Sequence, residues 1–481
     1  MTVTGQGGAA EASEQLSLGS AAGRWVLATT VLGSALGFMD ATTVNVALPV
    51  LGRDLGADVA DLQWVVSGYA LSLGALLLLG GSLGDRYGRR RVFVIGAAWF
   101  TVASVLCGLA PTSATLIWAR VLQGVGAALM TPGSLAIIQS GFHADERARA
   151  IGAWSALSGV GAAFGPMFGG YLVDAVSWRA VFLLNIPLGI GIVWAALRHL
   201  PESRDPTAGA RLDVAGSALI TIALAGGSFA LIQAPSGHTS RVVIVVATLM
   251  GIGGLACFVL VERRQEHPML PAGIFNGLFV SANAITFAVY AVLGGVIFLL
   301  VIHLEATLRY SPLQAGAATL PITVLMLGLS SRSGALANRI GPRLQLTVGP
   351  LLLAVGMLMM APIATGDRYA TAVLPGLVVF GLGLTSIVAP VTATALAAVD
   401  DRHAGVASGT NTAVARIAGL VAVAVLPAVA GLSGADYDSA AALHAGFPIA
   451  MRVAAAVAAC GAVVALLTIR RDALEPDGAR P

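Results

Sequence analysis

The sequence has no lysine, and its 27 cationic residues are all arginine. That absence by itself carries no mechanism. Charge of either sign is scarce, however: 11% of 481 residues are charged, against about a quarter in an ordinary soluble protein. Beside 57% hydrophobic residues, this scarcity excludes a single soluble core, because a chain so apolar cannot hide its surface without lipid. A formal net charge of +3 gives no support for nucleic acid binding. Cysteine is nearly missing. Cys107, Cys257 and Cys460 each fall in an apolar run, where they are expected to be small buried hydrophobes rather than disulfide partners or metal ligands. A nucleotide-binding glycine loop ending in lysine, a zinc-type cluster and a loop long enough for a soluble catalytic domain are also missing, which argues against an enzyme. The first 23 residues are polar and small, without a basic lead into a short apolar segment, so no cleavable signal peptide is expected there.

What is present is a succession of apolar runs. A membrane-crossing helix needs about 20 apolar residues. Such runs lie near 25–48, 63–80, 92–110, 114–138, 148–172, 180–198, 214–233, 242–261, 279–303, 313–331, 345–364, 371–395, 405–431 and 447–469. The polar stretch SGFHADERARA could not cross lipid, so it divides 114–172 into two helices. Arginine asymmetry sets the orientation. With the N-terminus inside, the inner segments hold 19 arginines, among them Arg147, Arg263, Arg339 and Arg470. The outer segments hold six: Arg53, Arg179, Arg241, Arg309, Arg368 and Arg452. Both termini are then expected on the cytoplasmic side.

The chain also echoes itself. GSLGDRYGRR (Gly81–Arg90) enters the third span, and GALANRIGPR (Gly334–Arg343) enters the eleventh, an offset of 253 residues. The same shift carries the first span onto the ninth. Six helices, two inserted helices and six more is the resulting order, and parallel halves of this kind belong to transporters.

The stretch GGSLGDRYGRRR matches the pattern G-x-L-x-D-R-x-G-R-R between second and third helices, and with it the chain resembles the major facilitator superfamily. LIWARVLQGVGAA (Leu116–Ala128) is similar to that family's fourth-helix motif, GVGAAFGPMFGG (Gly159–Gly170) to its fifth-helix antiporter motif and FMDATTVNVALP (Phe38–Pro49) to its first-helix motif. SWRAVFLLNIPLG (Ser177–Gly189) and the span count are similar to the drug:proton antiporter family of fourteen-helix multidrug exporters. The resemblance implies an all-α integral membrane protein of the major facilitator fold, with two six-helix lobes and two inserted helices. The expected division is 1–24 (disordered cytoplasmic tail), 25–200 (first lobe), 201–270 (inserted helices and flanking loops), 271–470 (second lobe) and 471–481 (cytoplasmic tail). It also implies proton-coupled efflux of small hydrophobic or monocationic compounds across the cell membrane by alternating access, with no cofactor beyond the proton gradient. The partners are then a small hydrophobic substrate, protons and membrane lipids, with a monomer expected.

Each motif also has a physical reading. Gly81 and Gly88 permit close approach and a sharp turn. Asp85 can cap or neutralise a helix start, while Arg86, Arg89 and Arg90 are expected to face anionic headgroups. The resemblance implies a conformational latch here; plain membrane topology is the alternative. In the second copy Asn338 stands where Asp would, which predicts a weaker latch. Gly165-Pro166 breaks a backbone hydrogen bond, and Gly161, Gly169 and Gly170 remove bulk beside it. That suits a gating helix, or an ordinary small-residue packing face.

The membrane-buried charges, apart from helix edges, are Asp40, Arg120 and Arg416. A charge at mid-membrane costs at least ~2.5–3.5 kcal/mol, so such residues pair or line a wet cavity. At ~1.5 Å per residue, Asp40 lies about 12 Å and Arg120 about 9 Å below the outer boundary, close enough in depth to meet. Asp40 is the candidate proton carrier and Arg120 its partner, with a permanent structural ion pair as the alternative. Arg416 is open to a substrate role or a structural one, as are Asn45 and Gln123. Glu305, in HLEATLRYSPLQAG, stands where the family more often has Gln; a solvated helix end is expected, ahead of a second proton or cation site. His303 is a weaker candidate still. With few acids in the spans, neutral or monocationic substrates fit better than dications. A lipid or endogenous-metabolite exporter, an uptake symporter and a non-transporting receptor remain as rivals, the Gly165-Pro166 stretch opposing the second.

Overall fold

In lipid, every backbone N–H and C=O must be satisfied within the protein, and this chain does so with helices. The structure is a computed structural model that describes residues 16–204, 213–235, 239–264, 272–400, 404–433, 436 and 439–474. The first half holds α1 (Ala21–Leu55), α2 (Val59–Tyr87), α3 (Arg89–Gly108), α4 (Ser113–Gly141), α5 (Ala144–Ala175), the short α6 (Trp178–Leu183) and α7 (Asn185–His199). Then come α8 (Val214–Gln233) and α9 (Arg241–Arg264). The second half holds α10 (Gly277–Leu308), the short α11 (Pro312–Ala318), α12 (Leu320–Ile340), α13 (Pro342–Met360), α14 (Leu374–Ala397), α15 (Ala404–Val429) and α16 (Ala440–Thr468). With α6–α7 and α11–α12 each forming one span, 14 spans among the described residues are long and apolar enough to cross a membrane.

The internal echo is a repeat of packing as well as of letters. In the first half α1 packs on α5, α2 and α3 on α4, and α3 on α7. In the second half α10 packs on α15, α12 and α13 on α14, and α13 on α16, the same partnerships in the same order. The two glycine turns correspond too. Gly88 (φ 115°) leads into α3 beside Glu202, past the end of α7, and Gly341 (φ 79°) leads into α13 beside Arg471, past the end of α16. Between the halves, α8 packs on both α2 and α15, with Trp64 and Phe229 in ring contact at 6.2 Å. α9 leans on α8, and only 11% of its apolar window is buried. Its outward apolar side chains, such as Val242, Leu249 and Ile252, suit lipid.

Two expectations change. Cys257 and Cys460 are exposed on the protein surface, and Cys107 alone is buried. A membrane helix is apolar on its lipid side as well as its protein side, so an apolar run does not imply burial in protein. The segment up to residue 24 is also structured from residue 16 onward. Leu16 pairs with the chain at Gly141 and His143, the Leu18 N–H donates to Glu146 (2.7 Å), and Ser20 caps α1. Residues 1–15 and 475–481 lie outside the described residues.

Candidate functional site

Asp40 and Arg120 meet. The Arg120 Nη1 donates to Asp40 Oδ2 at 2.5 Å, and the two residues are 1% and 2% exposed. The other carboxylate oxygen accepts from Gln123 Nε2 (2.9 Å) and Asn185 Nδ2 (2.8 Å). Gln123 and Asn185 both donate on to Ser104 as well (2.8 and 3.2 Å). Arg120 further donates to the Gln123 side chain (2.6 Å) and to the Val65 carbonyl (3.1 Å), and it lies over the Tyr69 ring at 4.3 Å. Side chains from α1, α2, α3, α4 and α7 are thus tied to one buried ion pair. Gln123 is fully enclosed and belongs to this network rather than to an open surface. Asn185 and Ser104 are partners that the sequence reading missed. Asn185 lies within the SWRAVFLLNIPLG stretch, so a polar residue inside an apolar span was the available signal.

The fifth-helix glycines lie between α5 and two neighbours. A methyl group on Gly161 would fall 2.7 Å from Ala35 of α1, and one on Gly165 would collide with Thr42. At the Pro166 break, Thr43 Oγ1 donates to the Gly165 carbonyl (3.0 Å), which fastens α1 to α5. Gly169 abuts Thr43, whereas Gly170 abuts Leu313 and Pro312 of α11, in the other half. Gly316 in turn sits against the Pro166 carbonyl. Asp174 Oδ2 accepts from Ser311 Oγ (2.7 Å) and the Leu313 N–H (3.1 Å). At this arginine-poor end the two halves therefore touch through backbone-close contact.

At the arginine-rich end, Arg89 binds Asp85 through two nitrogens at 2.8 Å and donates to the Ala136 carbonyl of α4 (3.3 Å). Arg90 donates to the Leu200 carbonyl (3.2 Å), and its backbone N–H donates to Glu202 (3.1 Å). Arg90 and Arg91 also face Glu202 at 3.8 and 3.7 Å. The expectation that Arg89 and Arg90 reach for headgroups is thus corrected: both are held by protein groups, and Glu202 supplies the counter-charge that sequence spacing did not reveal. Arg86 lies over the Tyr87 ring (5.3 Å), and Gly81 rests near Pro132. The Asn338 side chain lies outside the described residues.

Glu305 is 7% exposed, and its Oε1 has no hydrogen-bond partner among the described residues. The expected solvated helix end is therefore overturned: the side chain is enclosed by protein. Arg53 and Asp174 are the charged groups that face it. His303 is stacked on Phe447 at 3.9 Å and bonded to the Ile363 carbonyl (3.0 Å), a core position. Arg416 is partly exposed, with its guanidinium 5.2 Å from the Phe38 ring centre, across the junction on α1. Asn45 lies on the Phe38 face of α1, and its Oδ1 lacks a partner among the described residues.

Comparison with known proteins agrees with this architecture. A profile of the Major Facilitator Superfamily matches residues 30–423. The chain is 36% identical over 406 residues to "Multidrug resistance protein Stp" of Mycobacterium tuberculosis, covering 84% of this chain and 75% of that one. It is 36% identical over 418 residues to "Probable actinorhodin transporter" of Streptomyces coelicolor, covering 84% and 72%. It is also 36% identical over 425 residues to "Puromycin resistance protein pur8" of Streptomyces alboniger, covering 86% and 83%. A solved POT family transporter in complex with 5-aminolevulinic acid shares the fold with a TM-score of 0.70, at 13% identity over 92% of this chain and 95% of that one. With its profile match reaching from the first packing repeat well into the second, this chain belongs to the Major Facilitator Superfamily.

Proposed function

We propose that the protein exports small hydrophobic compounds, drugs and antibiotics among them, by alternating access in exchange for protons. The observation that carries the coupling is the enclosed Asp40–Arg120 pair, held inside one lobe of a two-lobed transporter. The export direction is supported by relatives named for multidrug resistance, puromycin resistance and tetracenomycin C export.

Protonation of Asp40 would leave Arg120 buried without a counter-charge, a loss of roughly 3–5 kcal/mol for a buried pair. That penalty is relieved only if the network opens toward water. Because α1 carries Asp40 on one side and Phe38 on the side facing the second half, loosening the pair shifts the helix that lines the junction. The Gly170–Leu313 and Gly316–Pro166 contacts then serve as the gate at the arginine-poor end, and the Asp85–Arg89 and Glu202–Arg90 contacts stiffen the other end. The arginine bias supports an orientation with both termini inside, and the chain is taken to act as a monomer.

The test is transport, in inverted membrane vesicles, of a panel of aromatic dyes and antibiotics that includes neutral, acidic and cationic members. Accumulation should follow an imposed pH gradient and collapse with an uncoupler. Accumulation that persists without any ion gradient would defeat the coupling. A second reading, export of a self-made product, is favoured by the relatives named for actinorhodin and tetracenomycin C transport. It shares the mechanism and differs in cargo alone.

A further inference from the structure

We infer that Arg416 is the anion-binding group of the substrate site, and that the compounds carried have an aromatic body and one acidic group, a carboxylate or a phenolate. This rests on the export reading and narrows its cargo. The charge at mid-depth is unbalanced. Asp40 and Arg120 neutralise one another, are 2% and 1% exposed, and sit on the side of α1 turned away from the second half. Arg416 has no hydrogen bond or ion pair among the described residues, and its guanidinium faces the Phe38 ring. α15 itself carries no acid.

The next acids along the neighbouring helices are far away. Asp85 is eleven residues from Gly74, which packs against Arg416 on α2, or about 16 Å of helix. Glu305 is fifteen residues from Tyr290 on α10, or about 22 Å, and Asp54 is sixteen from Phe38 on α1, or about 24 Å. A guanidinium does not shed its proton at physiological pH. The missing counter-charge must therefore come from a small ion or the cargo, and a site that carries fixed positive charge repels cations.

The surroundings specify the rest of the ligand. Phe38 offers a ring from the opposite half, and Tyr69 and Tyr290 lie within electrostatic range of the guanidinium. Phe38, Ala41 and Asn45 fall at helical spacing on one face of α1, whereas Asp40 falls on the other. The unfilled Asn45 Oδ1 is an acceptor about two turns from Phe38, roughly 10 Å, and would take a hydroxyl hydrogen of the cargo. A cation, an aromatic face and an acceptor in that order describe a planar acid of two or three rings.

The experiment uses the full-length protein in lipid nanodiscs with three probes of one three-ring skeleton: 4-(9-anthryl)butyrate, 4-(9-anthryl)butanamide and 4-(9-anthryl)butylamine. Equilibrium binding is read by fluorescence. The acid should bind about tenfold or more tighter than the amide, and the amine weakest. R416Q should reduce the acid-to-amide ratio to within about twofold, with R416K retaining part of it. Equal affinities in the natural protein, a preference for the amine, or an unchanged ratio in folded R416Q would each overturn the inference. If R416Q does not fold, the three-probe series on the natural protein decides alone. Transport in proteoliposomes separates the two readings. A binding ratio without any gradient-driven transport defeats export and leaves the anion site standing, and transport blind to charge does the reverse.

Discussion

Asn185 Nδ2 lies 2.8 Å from Asp40 Oδ1, so an uncharged amide 145 positions away completes the shell of the buried Asp40 carboxylate. With Arg120 and Gln123 it gives Asp40 three donors and leaves no room for water in this conformation. A charge so well satisfied is stable while the network is closed. That stability sets the sign of the first expectation.

Asp40→Asn removes the negative charge and leaves Arg120 enclosed without compensation. Proton-driven efflux should fall at least about tenfold, and the protein should lose roughly 3–5 kcal/mol of stability. Inverted-vesicle transport and a thermal unfolding series check both. Retained coupling in the folded variant would make the pair purely structural. Asn185→Ala keeps both charges and removes one neutral-donor bond, so a milder loss of roughly 1–2 kcal/mol is expected.

Gly170→Leu places a branched side chain where Leu313 and Pro312 already sit, so it should hold the arginine-poor end apart. Transport should drop by an order of magnitude or more, because one of the two alternating states is blocked. A cysteine placed at Leu313 should become more reactive to a water-soluble maleimide in this variant. Unchanged labelling and transport would remove Gly170 from the gate.

Asp174→Asn weakens two exposed contacts with α11 rather than a buried one, so a small shift is expected. Roughly 0.5–1.5 kcal/mol is reasonable for such bonds, which moves an open–closed ratio by about two- to tenfold. Distance measurements between spin labels on the two halves read that ratio.

Gly88→Ala combines a positive φ of 115° with a methyl group 2.7 Å from the Glu202 carboxylate. Strain of roughly 1–3 kcal/mol should appear as a lower melting temperature. Glu202→Gln alone should cost less, because its partners Arg90 and Arg91 are partly exposed.

Glu305→Gln is expected to raise stability by about 1–2 kcal/mol. The natural side chain holds a buried oxygen without a partner, and the amide removes the burden of an enclosed charge. A lower melting temperature would mean that the carboxylate has a favourable role at the junction with Arg53.

The sequence by itself determined the fourteen spans, the two-fold repeat and the presence of a carboxylate and two guanidiniums in oil. Those are properties of local hydropathy, arginine placement and motif spacing, and each helix in a bilayer must satisfy its own backbone wherever its neighbours lie. Depth alone made a meeting of Asp40 and Arg120 reasonable, because rise per residue is fixed. Only the tertiary structure decided which faces touch. It brought Asn185 and Ser104 to Asp40, set Glu202 against the arginine turn, covered Glu305, exposed Cys257 and Cys460, and left Arg416 against a phenyl ring. The physical reason is that an apolar helix looks alike toward lipid and toward protein, so its orientation about its own axis is chosen by its neighbours.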